Sequence, residues 1–230
     1  MIQQLLKADG ITMSQRKISR IMAMKGLKSK YGRKKCKNVY TDKEASEKYV
    51  SENYLKKLSE ETKRTQMIWS MDFTEQKITG KTGNKKKMYT CGIIDINEKV
   101  VVGHMISSKC TAEVAAETLK MAIKAFGVPY MVHTDRGPQF TSNKFHDTIL
   151  EAGVIHSMSR PHTPVDNVWI ETFWKSMKIE IGYVEQYGEE EYRMVIDYYI
   201  HYYNTMRPHS ALGYMVPLGY KVSRQINTVI

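Results

Sequence analysis

Three acidic residues stand where the local pattern points to a reactive position. Asp72 interrupts the alternating run "MIWSMDFTEQ" (67–76), which sets Trp69, Met71 and Phe73 on one face of a strand and Ser70, Asp72 and Thr74 on the other. Asp135 closes the short apolar strand "YMVHTD", and Arg136-Gly137-Pro138 then turns the chain away. In an open α/β sheet the carboxyl end of a strand is the crevice where ligands bind. Glu171 lies in the helical stretch "DNVWIETFWKSMKIEIG", with Lys175 at i+4 and Lys178 at i+7 on the same face. Each residue also has an ordinary explanation: a turn-former for Asp135, a buried hydrogen-bonded acid for Asp72, a solvated basic helix face for the lysines. If the acids converge, they raise one another's pKa, a cost that a divalent cation removes. Carboxylate oxygens without a Cys or His cluster suit Mg²⁺, with Mn²⁺ as a substitute. Two such ions would activate an attacking oxygen and stabilise a leaving oxygen in an in-line phosphoryl displacement, with no protein nucleophile.

The surrounding pattern supplies elements to hold these acids. After the Asp72 strand come the turn signal "TGKTGNKKK" and the strands "MYTCGIIDI" (88–96) and "KVVVGHMIS" (99–107), an antiparallel meander. Gly80-Lys81-Thr82 is no phosphate-binding loop, because Glu75 stands where that motif needs a glycine. "TAEVAAETLKMAIKAFG" is a helix capped by Thr111 and stopped by Gly127; the Asp135 strand follows, then the helix "NKFHDTILEAG" and the strand "VIHSMS". The Glu171 helix has Asp166 or Asn167 as its cap. A meander followed by alternating helices and strands implies an α/β fold, a mixed five-stranded sheet with helices packed on it. "EEEYRMVIDYYIHYYN" carries a stripe (Tyr192, Val195, Ile196, Tyr199, Ile200, Tyr203) that reads as core packing of a last helix.

The chain of 230 residues has a formal net charge of +11, and the excess is local. Residues 1–40 hold eleven Lys and Arg against the single acid Asp9, whereas the rest of the chain is nearly balanced. Such a block binds a polyanion by releasing condensed counterions, or else is a solvated arm. Within it, "IQQLLKADG" and a helix capped by Ser14 and stopped by Gly26, with Ile18, Ile21 and Met22 on one face, resemble the end of a helix-turn-helix. Arg16, Lys17, Arg20 and then Arg33, Lys34 and Lys35 are its candidate DNA contacts. A complete module needs a further helix upstream, so a truncation or an upstream partner is expected. Residues 41–66 read as an exposed helical connector and 67–230 as the main domain with one core, including its C-terminal helix and tail.

No stretch approaches eighteen uncharged apolar residues, and the first thirty carry lysines and arginines rather than a signal peptide's apolar run. Three widely spaced cysteines, Cys36, Cys91 and Cys110, make neither a disulfide framework nor a zinc site. A soluble protein of a reducing compartment, with no membrane partner, is expected. Asp95 reads as a turn residue, His133 and His209 as satisfied structural histidines, and Lys81, Lys85, Lys86 and Lys87 as a basic hairpin tip that touches DNA or keeps the edge soluble.

Asp72, Asp135, thirty-five intervening residues, Glu171 and a basic residue seven positions on resemble the signature of the DDE transposases and retroviral-type integrases. The closer resemblance is to the second-reading-frame protein of the bacterial insertion-sequence-three family. It rests on "WSMDFT", "HTDRGPQF", "SMSR" with "DNVWIETFWKSMKIE", and the tail "YNTMRPHSALGYMVP" (203–217), with His162-Thr163 standing where the family has Gly-Asn. The resemblance implies a ribonuclease-H-like core and divalent-metal-dependent DNA end cleavage and strand transfer. Asp72 would bridge two Mg²⁺ ions, Asp135 and Glu171 would each complete one site, and Lys178, Lys175 and Arg136 would meet DNA phosphates. It further implies double-stranded DNA as partner, a homo-oligomer bridging two ends, an upstream-frame protein as fusion or partner, and a bacterial cytoplasmic, nucleoid-associated setting. A nuclease without a joining step, and a DNA-binding regulator or inactive remnant, are the alternative readings.

Overall fold

The computed structural model describes residues 2–27, 49–80, 83–161 and 163–228. Two compact units are present, Lys43–Ile200 and Met1–Asp42 together with His201–Ile230.

In the smaller unit, α1 (Ile2–Ala8) stops before Gly10, whose positive φ of 75° only glycine adopts at low cost. Helix α2 (Gln15–Met24) starts where Ser14 accepts a hydrogen bond from the Lys17 amide at 3.3 Å. Ile18 is buried on it, while Arg16, Lys17 and Arg20 are exposed. Arg33, Lys34, Lys35 and Cys36 lie outside the described residues. In the tail, Arg207 lies over the Tyr203 ring at 5.6 Å, and the His209 amide donates to the Met215 carbonyl at 3.1 Å. The tail motif therefore folds on itself by backbone pairing and ring packing.

The larger unit is built on one sheet. After α3 (Tyr54–Lys57) and α4 (Glu60–Thr65), strand β1 (Ile68–Thr79) pairs antiparallel with β2 (Lys85–Asp95), which pairs antiparallel with β3 (Val101–Ser107). Helix α5 (Ala112–Phe126) leads to β4 (Met131–Thr134), which lies parallel to β1; α6 (Asn143–Glu151) leads to β5 (Ile155–Met158), parallel to β4. The order is β3-β2-β1-β4-β5, the mixed five-stranded sheet that the pattern predicted. A 3₁₀ turn (Pro164–Asn167), α7 (Val168–Ile181) and α8 (Glu189–Thr205) follow. A further helix, α9 (Pro217–Thr228), lies beyond α8, which is thus not the last.

β1 is central, and Ile68, Trp69, Ser70 and Met71 are fully buried. Side chains alternate between faces, so Gly103, opposite Ile93 and hence Met71, lies on one face and Gly92, opposite Asp72, on the other. A Cβ at Gly103 would stand 2.9 Å from Ala122 of α5, and one at Gly92 would stand 2.5 Å from the Trp174 ring of α7. The two helices thus cover opposite faces, each seated closely on a strand glycine.

Two expectations are corrected here. Residues 49–66 are not simply an exposed connector: Leu55 is buried with Ile68, Ile96 and Met131, and its amide donates to Ser157 Oγ at 3.0 Å. Neither Asp166 nor Asn167 caps α7 through its side chain. Asp166 instead accepts from Arg160 and from Asn53 at 2.8 Å, and Asn167 accepts from Ser70 Oγ at 2.5 Å, because tertiary partners outbid the local cap. Asp95 is the turn residue expected, accepting from the amides of Asn97 and Glu98 at 2.8 Å.

Phe140 ends the motif that begins at His133 and is fully buried between Phe73 and Phe145, with ring centroids 5.8 and 5.2 Å away. Phe140→Ala is expected to cost about 3–5 kcal/mol through the cavity it leaves, measured by urea unfolding.

His133 donates or accepts at both ring nitrogens, to Ser157 Oγ at 2.9 Å and Ser159 Oγ at 3.0 Å. Burial lowers its pKa to about 4, and burial together with the neighbouring His133 and His146 lowers that of His156 to about 3. The unfolded chain binds these protons more readily, so stability is lost as pH falls below about 6.5 and the loss levels off below the folded-state values. Urea midpoints at successive pH values between 7 and 4 should fall, and His156→Gln should flatten that slope.

Candidate active site

The parallel pairing of β1 with β4 sets Ser70 opposite His133. Two residues further on stand Asp72, within β1, and Asp135, just past the end of β4, so the parallel pairing brings the stretch that carries Asp135 alongside the stretch that carries Asp72. Glu171 enters from the first turn of α7, the helix lying on the Asp72 face. Asp72 and Asp135 are half-buried, and Glu171 is exposed.

The electrostatics show that the three share one environment. Burial first, then the Asp135 charge and more weakly the Glu171 charge, push Asp72 well above the usual carboxylate range. The Phe73 backbone amide and the Trp174 indole offset part of this. Burial raises Asp135, against the Gly137 amide that donates to its Oδ1 at 2.9 Å. Burial and the Asp135 charge raise Glu171. Among the described residues, no three His, Cys, Asp or Glu side chains close around a single point. Hard oxygen donors of which one, Asp135, raises the pKa of the other two are a donor set that a divalent cation relieves.

The turn after Asp135 explains its glycine. A Cβ at Gly137 would lie 2.3 Å from Gln139 Nε2 and 3.0 Å from Asp135 Oδ1. Gln139 thus folds back over Gly137 beside the acid, and a side chain at 137 would displace its amide and crowd the Asp135 carboxylate.

Of the other candidates, Lys175 and Lys178 are exposed on α7. Arg136 donates through Nε to the Ser159 carbonyl at 2.9 Å, tying the Asp135 turn to the end of β5. The hairpin lysines are paired: Lys85 with Glu185 and Lys86 with Glu189, each at 2.5 Å, and Lys87 with Glu75 at 3.1 Å. Lys81 lies outside the described residues.

Three neighbours of the site escape the sequence pattern. Cys110 is close enough to feel the charges of Asp72 and Asp135, which together with burial push its thiol up to about 11. Trp174, one helical turn after Glu171, reads as core, and Gly92 reads as one more small residue in an apolar strand. A glycine inside a strand is a signal of close approach, and it marks the place where the indole lies.

The sheet order and the helices on both faces define an integrase-type core with a ribonuclease-H-like fold. Two family models, both described as integrase core domain, match residues 63–164 and 152–217. The catalytic core of BIV integrase superposes with a TM-score of 0.53 at 17% identity, covering 72% of this chain and 99% of that one. An integrase chain in a simian T-cell lymphotropic virus intasome gives 0.52 at 18% identity, covering 63% of this chain and 50% of that one. The transposase for insertion sequence element IS904 of Lactococcus lactis is 30% identical over 96% of this chain and 85% of its own length. Transposase InsF for insertion sequence IS3A of Escherichia coli is 29% identical over 92% of this chain and 72% of its own. The chain belongs to the insertion-sequence-three family of DDE transposases, and its function is DNA transposition.

Proposed function

We propose that Asp72, Asp135 and Glu171 form the catalytic centre of this transposase, cutting the ends of a mobile element and joining them to target DNA with Mg²⁺ or Mn²⁺. One observation carries the reading: the Asp135 charge raises the pKa of both Asp72 and Glu171, and the Glu171 charge raises that of Asp72. Asp72 would touch both ions, with Asp135 and Glu171 each completing one site. Bound there, the ions would supply charge stabilisation for the attacking and leaving oxygens of the phosphodiester.

The chain's own residues set the geometry. β1 and β4 fix two acids on the rigid sheet, and α7 brings the third on the element that also carries Lys175 and Lys178. Those two cations would hold the DNA backbone beside the acids, positioning it without reading its sequence. Arg136 is held by Ser159 and would act near the same backbone. The attacking group is water for end cleavage and a DNA 3′-hydroxyl for joining, so no side chain need become covalently attached.

Double-stranded DNA is the substrate, and the basic segment with Arg16, Lys17, Arg20, Arg33, Lys34 and Lys35 supplies sequence-independent affinity. Two copies would bridge the element's ends, and an upstream-frame protein would complete the DNA-recognition module. Among the described residues no helix is long and apolar enough to cross a membrane. A bacterial cytoplasmic, nucleoid-associated setting belongs to the same reading.

The test is a cleavage-and-joining assay on the element's terminal inverted repeats with Mg²⁺, with EDTA as control. A pre-cleaved end bearing a free 3′-hydroxyl should yield a joined product, which a nuclease without strand transfer would not make. Failure of both steps with Mg²⁺ and with Mn²⁺ would refute the assignment.

A further inference from the structure

Asp72 has no side chain opposite it. Its partner across β1 and β2 is Gly92, at a position where cross-strand Cβ atoms normally stand about 4.5–5.5 Å apart and pack against each other. The room is filled by Trp174 from α7: a Cβ at Gly92 would meet the indole at 2.5 Å from Cη2 and 2.8 Å from Cζ2. The six-membered ring thus seats on the strand by its Cη2–Cζ2 edge, and the N–H lies on the Cζ2 side of the indole. Trp174 is nearly fully buried, and its N–H makes no hydrogen bond of ordinary length and angle, although the indole acts on Asp72 closely enough to offset part of its raised pKa. A buried donor left in that state is costly, and catalytic hydrogen bonds are commonly long until a site is loaded. Helix α7 thus presents Glu171 and, one turn later, this donor.

We propose that Trp174 is a positioning residue for Asp72: seated on the bare backbone of Gly92, its indole holds the Asp72 carboxylate for a divalent cation and donates its N–H to that carboxylate in the loaded site. The inference rests on the metal reading given above. Gly92 is required because any Cβ there would lift the indole off the strand. Trp174 acts through Asp72 and touches neither ion nor DNA.

The experiment measures Mn²⁺ binding by electron paramagnetic resonance, with thermal melting of the same samples. Trp174→Phe should weaken Mn²⁺ binding about 10-fold or more, the loss typical when a partner orienting a metal ligand is removed. Gly92→Ala should weaken it similarly and also lower the melting temperature. In Gly92→Ala combined with Trp174→Phe, the smaller ring leaves room for the new methyl group. Melting should then recover toward wild type while Mn²⁺ affinity stays at the Trp174→Phe level. Wild-type affinity in Trp174→Phe, or recovery of affinity together with melting in the double variant, would overturn the proposal and leave Trp174 as packing. Asp72→Asn separates the two levels. If it abolishes Mn²⁺ binding while Trp174→Phe changes nothing, the metal reading stands and this inference falls; if wild type itself binds no Mn²⁺, both fall.

Discussion

Asp72→Asn, Asp135→Asn and Glu171→Gln should each reduce Mg²⁺-dependent cleavage and joining by more than about 100-fold, beyond what losing a partner that merely orients a metal ligand costs. DNA affinity should stay within about 3-fold, because the phosphate contacts that dominate affinity lie elsewhere. The same substitutions carry a second expectation that a purely structural acid would reverse. A carboxylate whose folded pKa is raised costs stability as pH climbs from its unfolded value, near 3.9, through its folded value, and the cost is fully present above it. Asp72 is raised by burial and by Asp135, so its neutral amide should stabilise the metal-free protein, by about 0.5–2 kcal/mol if it behaves like other relieved active sites. Urea unfolding at pH 7 without metal measures this, and adding Mg²⁺ should raise the wild-type midpoint more than the Asp72→Asn midpoint. A variant that cleaves normally removes its residue from the site. An Asp72→Asn protein that is less stable without metal would mark Asp72 as a structural acid.

The second large effect concerns the basic segment. If about six of the eleven Lys and Arg in residues 1–40 meet phosphates, DNA affinity should fall roughly 10³-fold between 50 and 200 mM salt. Deleting residues 1–40 should lower the slope of log K against log salt by about 5. Substituting Arg16, Lys17, Arg20, Arg33, Lys34 and Lys35 by Gln tests the same charges while keeping the chain length, and should lower the slope similarly. Fluorescence anisotropy on a short duplex reads both. A slope that does not change would make the segment a bystander and shift the phosphate contacts to surfaces such as the Lys175–Lys178 face of α7.

Much of the architecture is written locally. The alternation around Asp72, the apolar run ending at Asp135, and Thr111 accepting the Val114 amide at 3.4 Å are consequences of short-range periodicity and capping. Local reading fell short where a side chain had a distant claimant. Asp166 was a reasonable cap until Arg160 and Asn53 took its oxygens, and Asn167 until Ser70 did. The ends of the first hairpin look like turn sequence because they are rich in Lys and Gly. They nevertheless run as strand to Thr79 and from Lys85, where Glu75, Glu185 and Glu189 compensate the lysines. Leu55 looked sparse in a charged stretch, yet it reaches a cluster whose other members lie on β1, on β4 and just beyond β2.

By itself, then, the amino-acid sequence determined the chemistry on offer: three carboxylates on two strand segments and a helix, cations one and two turns beyond the third, and a cationic block at one end. What the tertiary structure adds is their placement. The parallel register of Ser70 with His133 sets the stretch carrying Asp72 beside the stretch carrying Asp135, and the bare backbone at Gly92 seats α7, which carries Glu171 and Trp174, closely on the Asp72 face. Strand register and helix seating are set by contacts between residues far apart in the chain, so no local window contains them.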